Sequence, residues 1–122
     1  MSGAALISIV DDDDSIRNSL YNLIRSLGFG VQSFSSAEAF LNSNQPGDTA
    51  CLILDVRMPG MNGLDLQRQL VANNSRIPII FITSHGDDQA RTRALEAGAV
   101  AFLYKPFREE ALLKAIDSAL KH

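Results

Sequence analysis

Short apolar runs alternate along this chain with longer segments whose apolar residues recur at helical spacing. Leu6 to Val10 is the first run, and Ile16, Leu20, Leu23, Ile24 and Leu27 behind it fall on one stripe of a helix that Gly28 and Gly30 stop. Val31 to Phe34 reads as a second, weaker strand. Ser35 or Ser36 can cap a short helix carrying Ala37, Phe40 and Leu41, before Pro46-Gly47 breaks the chain. Leu52 to Leu54 supplies the third strand, and Leu64, Leu66, Leu70 and Val71 predict the helix after it.

The pattern then repeats twice. Ile77 to Ile82 reads as a buried strand, with Pro78 confined to its beginning, where a missing N–H does least damage. Residues 87 to 97 predict a helix whose apolar positions are mostly alanine, Ala90, Ala94 and Ala97, so it is expected to be loosely anchored. Val100 to Tyr104 forms the last strand, followed by a helix bearing Leu112, Leu113, Ile116 and Leu120. Continuous apolar strands alternating with helices imply a parallel sheet covered on both faces through right-handed crossovers. The expected fold class is α/β, doubly wound, with about five strands and five helices forming one domain over residues 1–122.

Composition narrows the functions open to such a fold. The chain has 122 residues, 46% of them hydrophobic and 20% charged, enough for one domain with a real core. Its net charge of −3 gives no basic surface, so no direct nucleic-acid contact is expected. Leu6 to Val10 is too short to span a membrane, lacks a basic leading segment and runs into aspartate. The expected location is cytoplasmic, with no membrane partner. Cys51 stands alone within the apolar stretch Ala50 to Leu54 and reads as a packing residue, since a reactive thiol needs exposure and positive charge nearby.

The stretch IVDDDDSI, Ile9 to Ile16, sets four carboxylates behind the first strand. Adjacent anions resist ionising together, so solvent, a helix terminus or a cation must stabilise them. Asp13, Asp14 and Ser15 lie at a helix start and read as its cap. Asp11 and Asp12 stand at the strand end itself. In an open parallel sheet, ligands collect at the carboxyl ends of the strands. Those ends present Asp11 and Asp12 after the first strand, Asp55 after the third, Thr83 and Ser84 after the fourth and Lys105 after the fifth.

These side chains suit one chemistry. Magnesium takes hard oxygen ligands and keeps several waters, so Asp11, Asp12 and Asp55 are candidate ligands for Mg2+, with Mn2+ as an alternative. A carboxylate that accepts a phosphoryl group acts as a nucleophile and needs positive charge around the transferred oxygens. The cation and Lys105 would supply that charge and the Thr83 hydroxyl a hydrogen bond, with Asp55 on the central strand as acceptor.

Asp11-Asp12, Asp55-Val56-Arg57-Met58-Pro59-Gly60, Thr83 and Lys105-Pro106-Phe107, in this order and spacing from Leu6 to Leu120, resemble the receiver domain of bacterial two-component response regulators. The resemblance implies a flavodoxin-like (βα)5 sandwich with strand order 2-1-3-4-5. It implies that a sensor histidine kinase phosphorylates Asp55, that Asp12 and Asp55 bind magnesium through side chains, Asp11 through water and Arg57 through its backbone carbonyl. Thr83 and Phe102 become the switch pair: Thr83 turns to the phosphoryl group and the ring of Phe102 moves inward. Lys105 pairs with the phosphoryl oxygens, and the Lys105-Pro106 bond is expected to be cis.

The segments TSHGD at 83–87 and AGAVAFLYKPF at 97–107 look most like receivers that precede a helix-turn-helix DNA-binding domain. The implied function is a phosphorylation-dependent signalling switch serving a transcriptional output domain or another downstream protein, not an enzyme with separate turnover. Helix 4, strand 5 and helix 5, with Ala90, Ala94 and Tyr104, are the expected partner face, open also to a phosphorylation-promoted homodimer. Neither flavin nor nucleotide is expected, because four aspartates would repel a phosphate after the first strand. A haloacid-dehalogenase-like phosphohydrolase would carry a second Asp where Arg57 stands. His85 reads as a solvated loop residue, with tuning of phosphate lifetime from the rim and proton transfer as its alternative roles, and the Arg57 side chain reads similarly. Pro59, Gly60 and Gly63 read as loop punctuation.

Overall fold

The computed structural model describes residues 5–43, 47–84 and 88–121. Its strands are β1 (Leu6–Val10), β2 (Gly30–Phe34), β3 (Cys51–Asp55), β4 (Ile79–Thr83) and β5 (Ala101–Tyr104). The helices are α1 (Asp14–Ser26), α2 (Ala37–Leu41), α3 (Gly63–Ala72), α4 (Asp88–Glu96) and α5 (Glu109–Leu120). All neighbouring strands pair in parallel, in the order β2-β1-β3-β4-β5, so the doubly wound α/β expectation holds, strand order included. No helix of the described residues is long and apolar enough to cross a membrane.

Alternation along the strands builds two cores, because successive side chains point to opposite faces of a sheet. Val10, Leu52, Leu54, Ile79 and Phe81 pack on one face with Phe40 of α2, Leu66 and Leu70 of α3 and the alanines of α4. Ile7, Ile9, Ile53, Ile80 and Ile82 pack on the other with Leu20 and Ile24 of α1 and Leu112 and Ile116 of α5. β3 and β4 are buried at every residue, which explains their uninterrupted apolar composition. Each fully buried Leu, Ile or Phe contributes roughly 1.5–3 kcal/mol relative to exposure. Cys51 is wholly buried in the second core, and burial pushes its thiol up to about 12, an inert packing group as expected.

Local chemistry fixes where the helices begin. Asp13 caps α1, its Oδ1 accepting from the Ser15 and Ile16 amides. Ser36 caps α2 through the Ala39 amide, and Asn62 and Asp65 form a reciprocal capping box at α3. Several element ends shift by a residue or two from the sequence reading, at β2, β3, β4, β5 and α4, and two of these shifts bear on the site. β3 runs on to Asp55, so the central carboxylate is the last residue of the strand itself. β4 starts only at Ile79, because Pro78 lies before it with its carbonyl accepting from the Leu52 amide at 2.9 Å. Pro46 and the expected first residue of the fourth helix, Asp87, lie outside the described residues.

The partner face expected at Ala90 and Ala94 of α4 is corrected. Ala90 and Ala94 do not form a surface: both are buried, Ala94 completely, because their small side chains let the helix lie close against the first core. The buried Gln67 of α3 donates its Nε2 to the Ala94 carbonyl at 3.0 Å, and the Ala99 amide donates to the same oxygen at 3.0 Å. Arg91, Thr92 and Leu95 face solvent instead. Tyr104, 37% exposed, does lie at the surface.

Candidate functional site

The carboxyl ends of β1, β3, β4 and β5 form one rim of the sheet. Asp11 directly follows β1, wholly buried, with its amide donating to the Phe34 carbonyl at 3.1 Å. Its Oδ1 accepts from the Asp13 amide at 2.9 Å and its Oδ2 from Lys105 Nζ at 3.0 Å. The Arg17 guanidinium donates to the Asp11 carbonyl at 2.8 Å, so α1 grips the same residue from behind. Lys105 Nζ also lies 3.8 Å from Asp55 Oδ2, bridging carboxylates that are 44 positions apart in sequence, 55 less 11.

Asp11, Asp12 and Asp55 each bring an oxygen within 4.8 Å of the other two, with Asp12 exposed and the others buried. This acidic pocket has the oxygen chemistry and the open side that a hard divalent cation with retained waters requires. Burial first, and then the charge of Asp11, push the Asp55 carboxyl from 3.8 up to about 7, against the opposing pull of Lys105 and the Arg57 amide. The pocket is therefore short of positive charge, which is the condition under which a bound cation or an ammonium has the most effect.

Thr83 ends β4, buried, in register with Tyr104, and its carbonyl accepts from the Lys105 amide at 2.6 Å. The Lys105-Pro106 peptide is cis, as expected. Ser84 beside Thr83 is exposed, and His85 lies outside the described residues. Phe102 is 8% exposed, its ring centroid 5.9 Å from that of Phe81 and 5.4 Å from that of Tyr104. The ring expected to move inward already packs inside here. Arg57 has an exposed side chain, and its amide hydrogen-bonds to Asp55.

Two features of the rim escaped the sequence reading. Gly63 is not loop punctuation but the first residue of α3, and a Cβ there would lie 2.2 Å from the Asp55 carbonyl oxygen. Only a residue without a side chain lets α3 start against the end of β3. Glu38 of α2 reaches the β3–α3 connection, its Oε2 accepting from the Met61 amide at 3.0 Å. The pair Asn62-Gly63 carries a signal for the first; nothing local signals the second.

Comparison with known proteins gives a consistent result. The family model described as "Response regulator receiver domain" matches residues 7–117. The chain is 54% identical over 118 residues to the response regulator protein TodT of Pseudomonas putida, covering 97% of this chain and 52% of TodT. It is 42% identical over 115 residues to the transcriptional regulatory protein FixJ of Bradyrhizobium diazoefficiens, covering 94% of this chain and 56% of FixJ. The solved response regulator StyR superposes with a TM-score of 0.90 at 50% identity, over 98% of this chain and 60% of that one. The chain thus spans about half the length of the curated relatives it matches.

Proposed function

The chain belongs to the response regulator receiver domain family, a signalling module, and on that footing we propose that Asp55 is its phosphoryl acceptor, served by magnesium and Lys105. One observation carries the reading: Lys105 Nζ sits 3.0 Å from Asp11 and 3.8 Å from Asp55, beside the three-carboxylate pocket. An Asp55 oxygen attacks the phosphorus of a kinase phosphohistidine, the P–N bond breaks, and its electron pair leaves with the imidazole. Lys105 swings from the acid pair to the phosphoryl oxygens, and the Thr83 hydroxyl donates to them.

Asp12 and Asp55 would hold the ion by their side chains and Arg57 by its carbonyl. Asp11 would address it mainly through water, a role supported by the commitment of both its oxygens to the Asp13 amide and Lys105. When bound, the ion neutralises charge on the transferring group. Mn2+ meets the same requirements. With Phe102 already inside, phosphorylation selects an existing packing and holds it through Thr83.

The proposed partners are a sensor histidine kinase and, as in the relative named as a transcriptional regulatory protein, a transcriptional output. The module itself acts as a switch without separate substrate turnover, in the cytoplasm, and takes a second copy on the α4–β5–α5 face through Arg91, Leu95 and Tyr104. Incubation with magnesium and acetyl phosphate should add one phosphoryl group per chain by intact mass, and EDTA should prevent it. No adduct, or equal uptake in EDTA, would overturn the reading.

Lys105→Ala removes the ammonium that bridges the acids. Uptake should then slow by on the order of 10²-fold, the usual loss when one group that stabilises developing charge is deleted. A quench-and-mass time course measures it, and an unchanged rate would exclude Lys105 from the chemistry.

A further inference from the structure

The connection from β3 to α3 carries Arg57 into the site, so whatever holds this loop also positions the site. Its base is closed by the Gly63 amide, which donates to the Val56 carbonyl at 2.9 Å. Val56 and Met58 are buried on either side of Arg57 and anchor the near half. The far half, Pro59 and Gly60, is exposed at the tip.

A different element reaches that tip. Ala37 and Phe40 sink α2 into the first core, which turns Glu38 outward over the loop. Its Oε2 accepts from the Met61 amide at 3.0 Å, and this bond holds the Glu38 carboxyl below its usual range. Gly60 adopts φ +75°, and a Cβ on it would lie 2.8 Å from the same Oε2. The carboxylate therefore occupies the space that the missing side chain leaves.

We infer that Glu38 is a positioning residue for the phosphoacceptor site: by holding the Met61 amide it fixes the loop from which Arg57 turns its amide to Asp55 and its carbonyl to the cation. The inference rests on the function proposed above. Glu38 touches no reacting atom. Without it the loop keeps its base but samples more conformations at its tip, and the cation must order the loop as it binds. The loss falls on cation affinity, while the rate at saturating cation changes little.

The test uses the full chain with Glu38→Ala and Glu38→Gln, the latter keeping an acceptor oxygen in place. Magnesium is titrated while two quantities are followed, phosphoryl uptake from acetyl phosphate and the magnesium-induced rise in melting temperature. Glu38→Ala should raise the half-saturating magnesium concentration roughly 5-fold in both, the effect of one partly solvated hydrogen bond to a charged acceptor. The rate at saturation should stay within about twofold, and Glu38→Gln within about twofold of wild type throughout. A half-saturation unchanged in Glu38→Ala, or shifted equally in Glu38→Gln, overturns the inference.

Gly60→Ala supplies an independent arm, since its methyl displaces the carboxylate. In that background Glu38→Ala should add less than about twofold, and a full additional shift would also overturn the inference. Failure of the underlying function looks different. Wild type would then take up no phosphoryl group at all, whereas a melting shift that still depends on Glu38 would support its grip on the cation-binding loop.

Discussion

Asp55→Asn should take up no phosphoryl group from acetyl phosphate and, in magnesium-free buffer at neutral pH, should melt above wild type. The two halves have one cause. Asparagine lacks the anionic oxygen that attacks phosphorus, and no other carboxylate of the pocket shares the position of Asp55 at the end of the central strand. In that buffer the same ionised oxygen is costly, buried beside Asp11. Burial and the charge of Asp11 raise the Asp55 carboxyl to about 7 in the folded protein, from an ordinary 3.8.

A folded-state value above the unfolded one means that the native state binds the proton more tightly, so ionisation destabilises the fold. The penalty is absent below about pH 4, grows between about pH 4 and 7 and is complete above, following the shift of Asp55 from 3.8 to about 7. Asparagine does not titrate. Its advantage should therefore vanish in acid and reach on the order of 2 kcal/mol above neutrality, or roughly 5–10 °C in melting temperature. Magnesium should close the gap by stabilising wild type more than the variant. A surviving phosphoryl adduct would refute the first half of the expectation. A variant that melts below wild type at pH 7.5 in EDTA would refute the second.

Gly63→Ala should destabilise the fold by roughly 3 kcal/mol, near the upper end for overpacking in a core. The new carbon would sit 2.2 Å from the Asp55 carbonyl oxygen and 3.1 Å from the Phe81 ring. A backbone oxygen cannot step aside as the end of a flexible side chain can, so either α3 or the end of β3 must move. Gly30→Ala makes the control, since a carbon there would find its nearest neighbour at an ordinary 3.6 Å. Urea unfolding should show a large fall in midpoint for Gly63→Ala and a change under about 1 kcal/mol for Gly30→Ala, with similar slopes. Equal midpoints would remove Gly63 from the list of structural necessities. The part of Gly63→Ala that folds should also take up phosphate more slowly, because the clash falls on the residue that carries the acceptor.

The rim was legible in the sequence for a definite reason. Each apolar run ends abruptly at a polar side chain, and a parallel sheet puts those ends together, so Asp11, Asp55, Thr83 and Lys105 could be assembled without coordinates. What the pattern could not show was direction and distance. The alanine spacing of α4 puts Ala90 and Ala94 on an outer surface, yet small residues are also what allow a helix to settle closely, and both are buried, with the Gln67 amide donating to the Ala94 carbonyl. Glu38 and Met61 meet across 23 positions and two separate elements, so no local window contains the contact. Gly63 reads as loop punctuation beside Pro59 and Gly60, whereas its requirement comes from the Asp55 carbonyl eight residues back.

The aspartate run that follows β1 contains no spare member. Asp11 is buried against an ammonium, Asp12 faces the open side of the pocket, Asp13 holds two amides of α1 and Asp14 pairs with Arg17. Four identical letters thus hold four different posts, each defined by its count from the strand end. Shortening the run by a single letter would keep aspartate at the first three posts, put serine at the fourth, and draw every residue of α1 one step toward the strand, out of phase with the core it covers.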